Sequence, residues 1–235
     1  MKKVIIFDLY DTVLKDISFD FSNGLNYLYN TFFKSKCSPE AFKAYADTFK
    51  PLYDKRKIDN SEICLIKDEV SLYFDKFGVH APKDLEELDY NIMQQMQKVT
   101  LLDKVKYTLE YLHGQGISMY VLSNSIFTGS SNQRLLNDFG IARYFRNVFS
   151  SADHGVRKPS PKFYQIAVDK IFADDPSLKV EDILYVGNDY LTDVTGASAM
   201  GLKTVWYNVT HAPNHNNIDT IDIDDFVLLT KIVNE

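Results

Sequence analysis

Asp8 stands directly behind a short apolar run, Val4 to Phe7, and is followed by Tyr10, Asp11 and Thr12. Ser123 and Asn124 follow a second such run, Ser118 to Leu122. Asp189, with Asp193 four positions on, follows a third, Ile183 to Val186, and Lys158 lies in the stretch Gly155-Val156-Arg157-Lys158-Pro159. A carboxylate can attack an electrophile, a hydroxyl can hold its oxygens, and a lysine can neutralise its charge. Carboxylates crowded at one edge repel and raise each other's pKa. A divalent cation removes that penalty, and oxygen ligands suit Mg²⁺.

These residues need a scaffold that gathers them. The three runs, with Thr204 to Tyr207, are rich in β-branched and aromatic residues and poor in charge, as strands covered on both faces are. Arg146 to Ser150 reads as a fifth. Helices are expected between them: Lys104 to His113 stopping at Gly114, Asn132 to Phe139 stopping at Gly140, and Pro161 to Phe172 with proline in its first turn. Alternating strands and helices predict an α/β fold, a doubly wound parallel sheet of Rossmann-like type, which binds ligands beyond the carboxyl ends of its strands. Residues 17–98 break the alternation and read as helices throughout: Phe21 to Phe33, Pro39 to Tyr53, Ser61 to Phe77 and Lys83 to Gln97. Phe42, Tyr45, Ala46, Phe49, Leu52 and Tyr53 recur at helical spacing, which marks a packed core before it marks a ligand box. The expected division is a core of residues 1–16 and 99–235 with a helical cap of 17–98 between.

The ordered motifs resemble those of the haloacid dehalogenase superfamily. Phe7-Asp8-Leu9-Tyr10-Asp11-Thr12-Val13 is similar to its first signature and Tyr120-Val121-Leu122-Ser123-Asn124 to its second. Arg157-Lys158-Pro159-Ser160-Pro161 resembles the third, and Val186-Gly187-Asn188-Asp189-Tyr190-Leu191-Thr192-Asp193 the acidic fourth. The resemblance implies that Asp8 is a nucleophile forming an aspartyl intermediate, with Ser123, Asn124 and Lys158 on the substrate. It implies Mg²⁺ on Asp8, the Tyr10 carbonyl and Asp189, with Asp193 as ligand or orienting group, and Thr12 fixing the loop at Asp8. It also implies that the helical insert closes over the site. Each residue has a plainer reading: Asp8 or Ser123 as a helix cap, Lys158 as a surface lysine, Asp193 as a first-turn acid, Asp11 as turn chemistry.

One position departs from the phosphatases of this family, which carry a second aspartate two residues after the nucleophile. Here it is Tyr10, and a phenol titrating near pH 10 is a weak acid and a poor base at neutral pH. Three functions follow. The first is a Mg²⁺-dependent phosphatase of a small phosphorylated metabolite with an altered acid step. The second is a 2-haloacid dehalogenase, whose halide leaves without a proton. Those enzymes share the tyrosine at Tyr10, Ser-Asn at the second motif and a tyrosine matched by Tyr164, but lack an acid at Asp189 and carry an early cap arginine, whereas Arg56 lies late. The third is a module that binds phosphate and Mg²⁺ without turnover.

Composition sets the remaining bounds. With 235 residues and a net charge of −6, the chain can bury a core, and its acidity argues against nonspecific nucleic-acid binding. Lys55-Arg56-Lys57 reads as a solvated helix end, and His211 with His215, split by Pro213, as a solvated loop. No apolar run reaches membrane-spanning length. Cys37 and Cys64 form neither a zinc nor a redox spacing, so a reducing cytoplasm is the expected location.

Overall fold

The computed structural model describes residues 3–234, and within them every side chain but that of Lys57. The chain runs β1 (Val4–Phe7), β2 (Leu14–Phe19), α1 (Phe21–Leu28), α2 (Pro39–Ala46), α3 (Lys50–Asp59), α4 (Ser71–Phe77), α5 (Leu85–Met96) and β3 (Gln97–Leu101). It continues through α6 (Val105–Gly114), β4 (Ser118–Ser123), α7 (Gly129–Asp138), β5 (Phe145–Ser150), the short α8 (Ser151–His154) and α9 (Pro161–Asp174). Then come β6 (Ile183–Gly187), α10 (Gly196–Ala199), β7 (Lys203–Tyr207), β8 (Thr220–Ile223) and α11 (Leu229–Ile232). Six strands form one sheet in the order β5-β4-β1-β6-β7-β8, every neighbouring pair parallel. From β1 the chain winds outward through β4 to β5, then returns past β1 to β6. That reversal opens the crevice in which such sheets place ligands.

The five strands expected from the apolar runs are all present. β1 shows why they are legible: Ile5 and Phe7 enter one buried cluster and Val4 and Ile6 the other, so both faces are covered. β8, with the sequence Thr-Ile-Asp-Ile, carries too little apolar signal to stand out from the polar loop before it. β2 and β3 were also not expected. They pair antiparallel with each other, and their largely exposed, charged faces give no run to read. They straddle both expected boundaries of the insert, and α1 to α5 all lie between them.

The helices of this segment depart from expectation in one instructive place. Ser61 to Phe77 is not one helix. Asn60 adopts a left-handed conformation, Ser61 bridges Val156, and the helical path resumes at Leu65. Helical spacing held, yet the stretch is spent on contact with the sheet domain. Arg56 likewise is not part of a solvated end: its guanidinium Nη1 lies 2.8 Å from Glu62, while Lys55 is exposed beside Asp59. Among the described residues no helix is long and apolar enough to cross a membrane, and His211 and His215 are exposed.

The aromatic stripe is core. Phe33 is fully buried and packs against Phe42, Phe74 and Phe77 at ring-centroid distances of 5.2, 5.1 and 5.7 Å. Beside it Glu69 is buried and accepts hydrogen bonds from the hydroxyls of Tyr53 (2.5 Å) and Tyr73. Burial raises its pKa above the usual carboxylate range despite those bonds. A raised folded-state pKa means that stability from this group is greatest when both states are protonated, and falls as pH climbs towards the folded value. We therefore expect Glu69→Gln to melt higher than the parent at neutral pH. The gap should close below about pH 4, where the parent carboxyl is protonated in both states. Thermal melts of both proteins across pH check this, and a pH-independent gap would contradict it.

Candidate active site

Asp8 extends β1 by one residue, its N–H donating to the Val186 carbonyl at 2.9 Å, so the side chain leaves the sheet at the switch point. Lys158 reaches it from the loop after β5. That loop turns at Gly155, whose φ of 64° favours glycine, and is pinned by Asn124. The Lys158 N–H donates to Asn124 Oδ1 at 2.8 Å and Asn124 Nδ2 donates back to the Lys158 carbonyl at 3.1 Å. The Asn124 amide, expected on substrate, is thus turned onto the lysine's backbone.

The Lys158 ammonium is 2 % exposed and has three hydrogens to give. Its partners are three: Asp8 Oδ1 at 2.6 Å, Asp193 Oδ1 at 2.7 Å and the Tyr185 hydroxyl at 2.9 Å. Asp193 is equally committed. Tyr185 donates to its Oδ1 at 3.1 Å and the Asp189 N–H to its Oδ2 at 2.9 Å. Gly187 makes the space, since a Cβ there would run into the Asp193 side chain. Although burial works against the cation, Asp193 and Asp8 hold the Lys158 pKa above its usual value. Burial, with Asp193 nearby, pushes Asp8 up to about 7 against the pull of Lys158.

The far oxygen of Asp8 has a different neighbour. Thr12 Oγ1 lies 3.1 Å from Asp8 Oδ2 and 3.1 Å from Asn188 Oδ1. One hydroxyl proton cannot satisfy both acceptors, so lone pairs remain on this side. Ser123 ends β4, the strand beside β1. It is wholly buried, and its hydroxyl has no hydrogen-bond partner among the described residues. A native structure seldom leaves such a group unpaired unless a ligand or water completes it.

Two expected site residues sit elsewhere. Asp189 is exposed and caps the next turn, accepting from Thr192 N at 2.7 Å and Thr192 Oγ1 at 2.9 Å. Tyr10 turns its hydroxyl to Asn132 Oδ1 at 2.7 Å, and burial raises its pKa, so it holds its proton more firmly than a free phenol. Of the expected Mg²⁺ set, Asp8, the Tyr10 carbonyl and Asp189 with Asp193 as ligand or orienting group, Asp193 shares Lys158 with Asp8 while Asp189 faces Thr192, and among the described residues no three His, Cys, Asp or Glu side chains are grouped to hold a metal. Asn188 is the oxygen that faces Asp8's side through Thr12. Its amide gives no charge signal in the sequence, and only its place directly after the strand end marks it. Tyr185 read as a strand residue and Asn132 as a helix residue. Tyr164 is buried, with its hydroxyl on the Thr192 carbonyl, so it supports the turn that carries Asp193.

Asp193→Asn keeps the shape but leaves Lys158 with one anionic partner. We expect kcat/KM to fall by roughly tenfold to a hundredfold, as for other residues that orient a reacting group, with Asp8 displaced. Steady-state kinetics with a thermal melt check this, and an unchanged rate in a folded variant would remove Asp193 from the site.

Comparison with known proteins identifies the family. The profile of the haloacid dehalogenase-like hydrolases matches residues 5–207. The chain is 26 % identical to the pyrimidine 5'-nucleotidase PynA of Streptococcus pneumoniae over 98 % of each protein. In structure it is similar to the HAD-hydrolase YfnB of Bacillus subtilis, solved bound to magnesium, with a TM-score of 0.60 at 22 % identity over 100 % of this chain and 99 % of that one. It is also similar to a 2-haloacid dehalogenase of Pseudomonas syringae, with a TM-score of 0.71 at 18 % identity over 100 % and 99 %. The match of the family profile over residues 5–207, most of the sequence, makes this chain a member of the haloacid dehalogenase-like hydrolase family.

Proposed function

We propose that this hydrolase cleaves phosphate monoesters of small metabolites through an aspartyl-phosphate intermediate on Asp8. The observation that carries the reading is the pairing of a clamped nucleophile with an unspent donor. Lys158 fixes Asp8 Oδ1 at 2.6 Å, which holds the carboxylate in its direction, and the Ser123 hydroxyl, without a partner among the described residues, waits at the next strand end. The Asp8 carboxylate forms a bond to phosphorus as the ester oxygen leaves. Water then releases phosphate and restores the carboxylate. Ser123 donates to a phosphoryl oxygen, and Lys158 offsets the charge gathered there. Asn124 holds Lys158 in place. The helical segment of residues 17–98 would act as the cap that excludes water and selects the substrate.

The oxygens present fit Mg²⁺, with fewer carboxylates than the sequence suggested. Asp8 Oδ2 and Asn188 Oδ1 share the Thr12 hydroxyl, and with the Tyr10 carbonyl they would form a hard-oxygen set completed by water. When bound, Mg²⁺ would screen the repulsion between Asp8 and the phosphoryl oxygens. Asp189, turned to Thr192, and Asp193, spent on Lys158, stand outside this set. Tyr10, bonded to Asn132, is not a proton donor to the leaving group. The reaction therefore favours acyl phosphates and other esters whose leaving group departs unprotonated. The free thiols Cys37 and Cys64 suit the reducing cytoplasm we propose as its setting.

One observation favours a second reading, 2-haloacid dehalogenation. The outward turn of Asp189 removes the extra charge that had argued against it, and a halide needs no proton. The decisive panel is acetyl phosphate and p-nitrophenyl phosphate with and without Mg²⁺, against 2-chloropropionate without metal. We expect phosphate release that needs Mg²⁺ and is abolished in Asp8→Asn. Halide release from 2-chloropropionate would install the second reading, and binding of these compounds without turnover would favour a non-catalytic module. In Tyr10→Asp we expect faster turnover of esters with poor leaving groups, by roughly the hundredfold or more that a positioned acid supplies. No gain in a folded variant would end the missing-acid argument.

A further inference from the structure

We propose that Arg157 is an anion receptor, and that the substrate carries a second anionic group, a carboxylate or another phosphate, besides the one presented to Asp8. The proposal rests on the phosphatase reading and deepens it.

Residues 60–65 cross from the helical segment to the loops that carry Ser123 and Lys158. Arg157 N donates to the Asn60 carbonyl at 3.0 Å, Glu62 N to the Gly155 carbonyl at 3.0 Å, and Leu65 N to the Ile126 carbonyl at 2.9 Å. At the centre of this seam Glu62 is buried, with Arg56 Nη1 at 2.8 Å and the Ser151 hydroxyl at 2.9 Å. Arg157 approaches the same carboxylate only to 3.8 Å, beyond hydrogen-bond length. Among the described residues the Arg157 guanidinium donates no hydrogen bond, although its side chain is only 23 % exposed.

The Arg157 guanidinium keeps contact with solvent, and with no acceptor among the described residues its N–H groups are free to take one from a ligand. Glu62 does not quench the charge, because Arg56 already neutralises it: two guanidiniums face one carboxylate. Asp189 acts on Arg157 through space but is spent as a cap on Thr192. Arg157 directly precedes Lys158, whose Nζ is 2.6 Å from Asp8. The residue next to the lysine that holds Asp8 thus presents a planar fork without a hydrogen-bonded acceptor among the described residues. That fork matches the two oxygens of a carboxylate or phosphate.

The test compares 3-phosphoglycerate, fructose 1,6-bisphosphate and glycerol 3-phosphate, which carry a carboxylate, a second phosphate and neither. We expect the parent enzyme to prefer at least one of the first two over glycerol 3-phosphate by roughly tenfold or more in kcat/KM, as a charge-assisted pair supplies. The arm that shows the preference names the anion. Arg157→Gln should bring the ratio close to one, and Arg157→Lys, which keeps the charge but loses the fork, should fall between. An equal loss on all three substrates, or no preference in the parent, would overturn the proposal and leave the phosphatase reading standing. If none of these three alkyl esters is turned over while acetyl phosphate is, the phosphatase reading stands, and if acetyl phosphate is not turned over either, that reading is the one that fails. Calorimetric binding of the same three compounds to Asp8→Asn, with and without Arg157→Gln, then decides the receptor on its own. Tighter binding of an anion-bearing compound that is lost with Arg157 supports it, and equal affinities reject it.

Discussion

A buried ammonium holds this site together. Lys158 is taken almost wholly out of water, and the cost of that burial is offset only by close, well-directed partners. Asp8 and Asp193 supply the charge and the Tyr185 hydroxyl the third acceptor, so each hydrogen of the ammonium is met. The loss of any one partner leaves a charge exposed to a low-dielectric surrounding. Much of the local structure follows from this constraint: Gly187 has no side chain because Asp193 occupies the space, and Tyr164 supports the turn that brings Asp193 in.

The same clamp makes the two oxygens of Asp8 inequivalent. Oδ1 is spent on Lys158, and Oδ2 faces Thr12 and Asn188. A carboxylate held by one oxygen keeps its direction, which is what in-line attack requires. Asn124 extends the order backwards by fixing the backbone of residue 158. The strand ends thereby position a reacting atom through contacts that touch no substrate.

The helical segment is joined to this framework at more than one place. Glu62 is hydrogen-bonded to Ser151, which also receives the Ser125 N–H at 2.9 Å. Asp89 of α5 is buried and accepts from Thr128 N at 3.0 Å and the Ser131 hydroxyl at 2.6 Å. The segment that would select the substrate and the loops that would carry out the chemistry thus share a polar seam, and movement of one is felt by the other.

The central strands, the order of the motifs and the arrival of Asp8 and Lys158 at one place were legible in the sequence. Apolar runs and the residues just after them are local features, and covered parallel strands leave a continuous signal. The β2–β3 pair was not legible, because its register joins residues such as Leu14 and Leu101 across exposed, charged strands. Nor was the fate of each polar group. The sequence offered Asp189 as a ligand and Asp193 as a ligand or orienting group, yet a helix cap took the first outward and the lysine took the second inward. It presented Arg56 as a solvated cation and Asn188 as a bystander. The sequence by itself determined which groups arrive at the strand ends. Tertiary structure alone decided which oxygen each donor meets, because those choices rest on competition between partners far apart in the chain, such as Lys158 with Asp8 and Thr12 with Asn188.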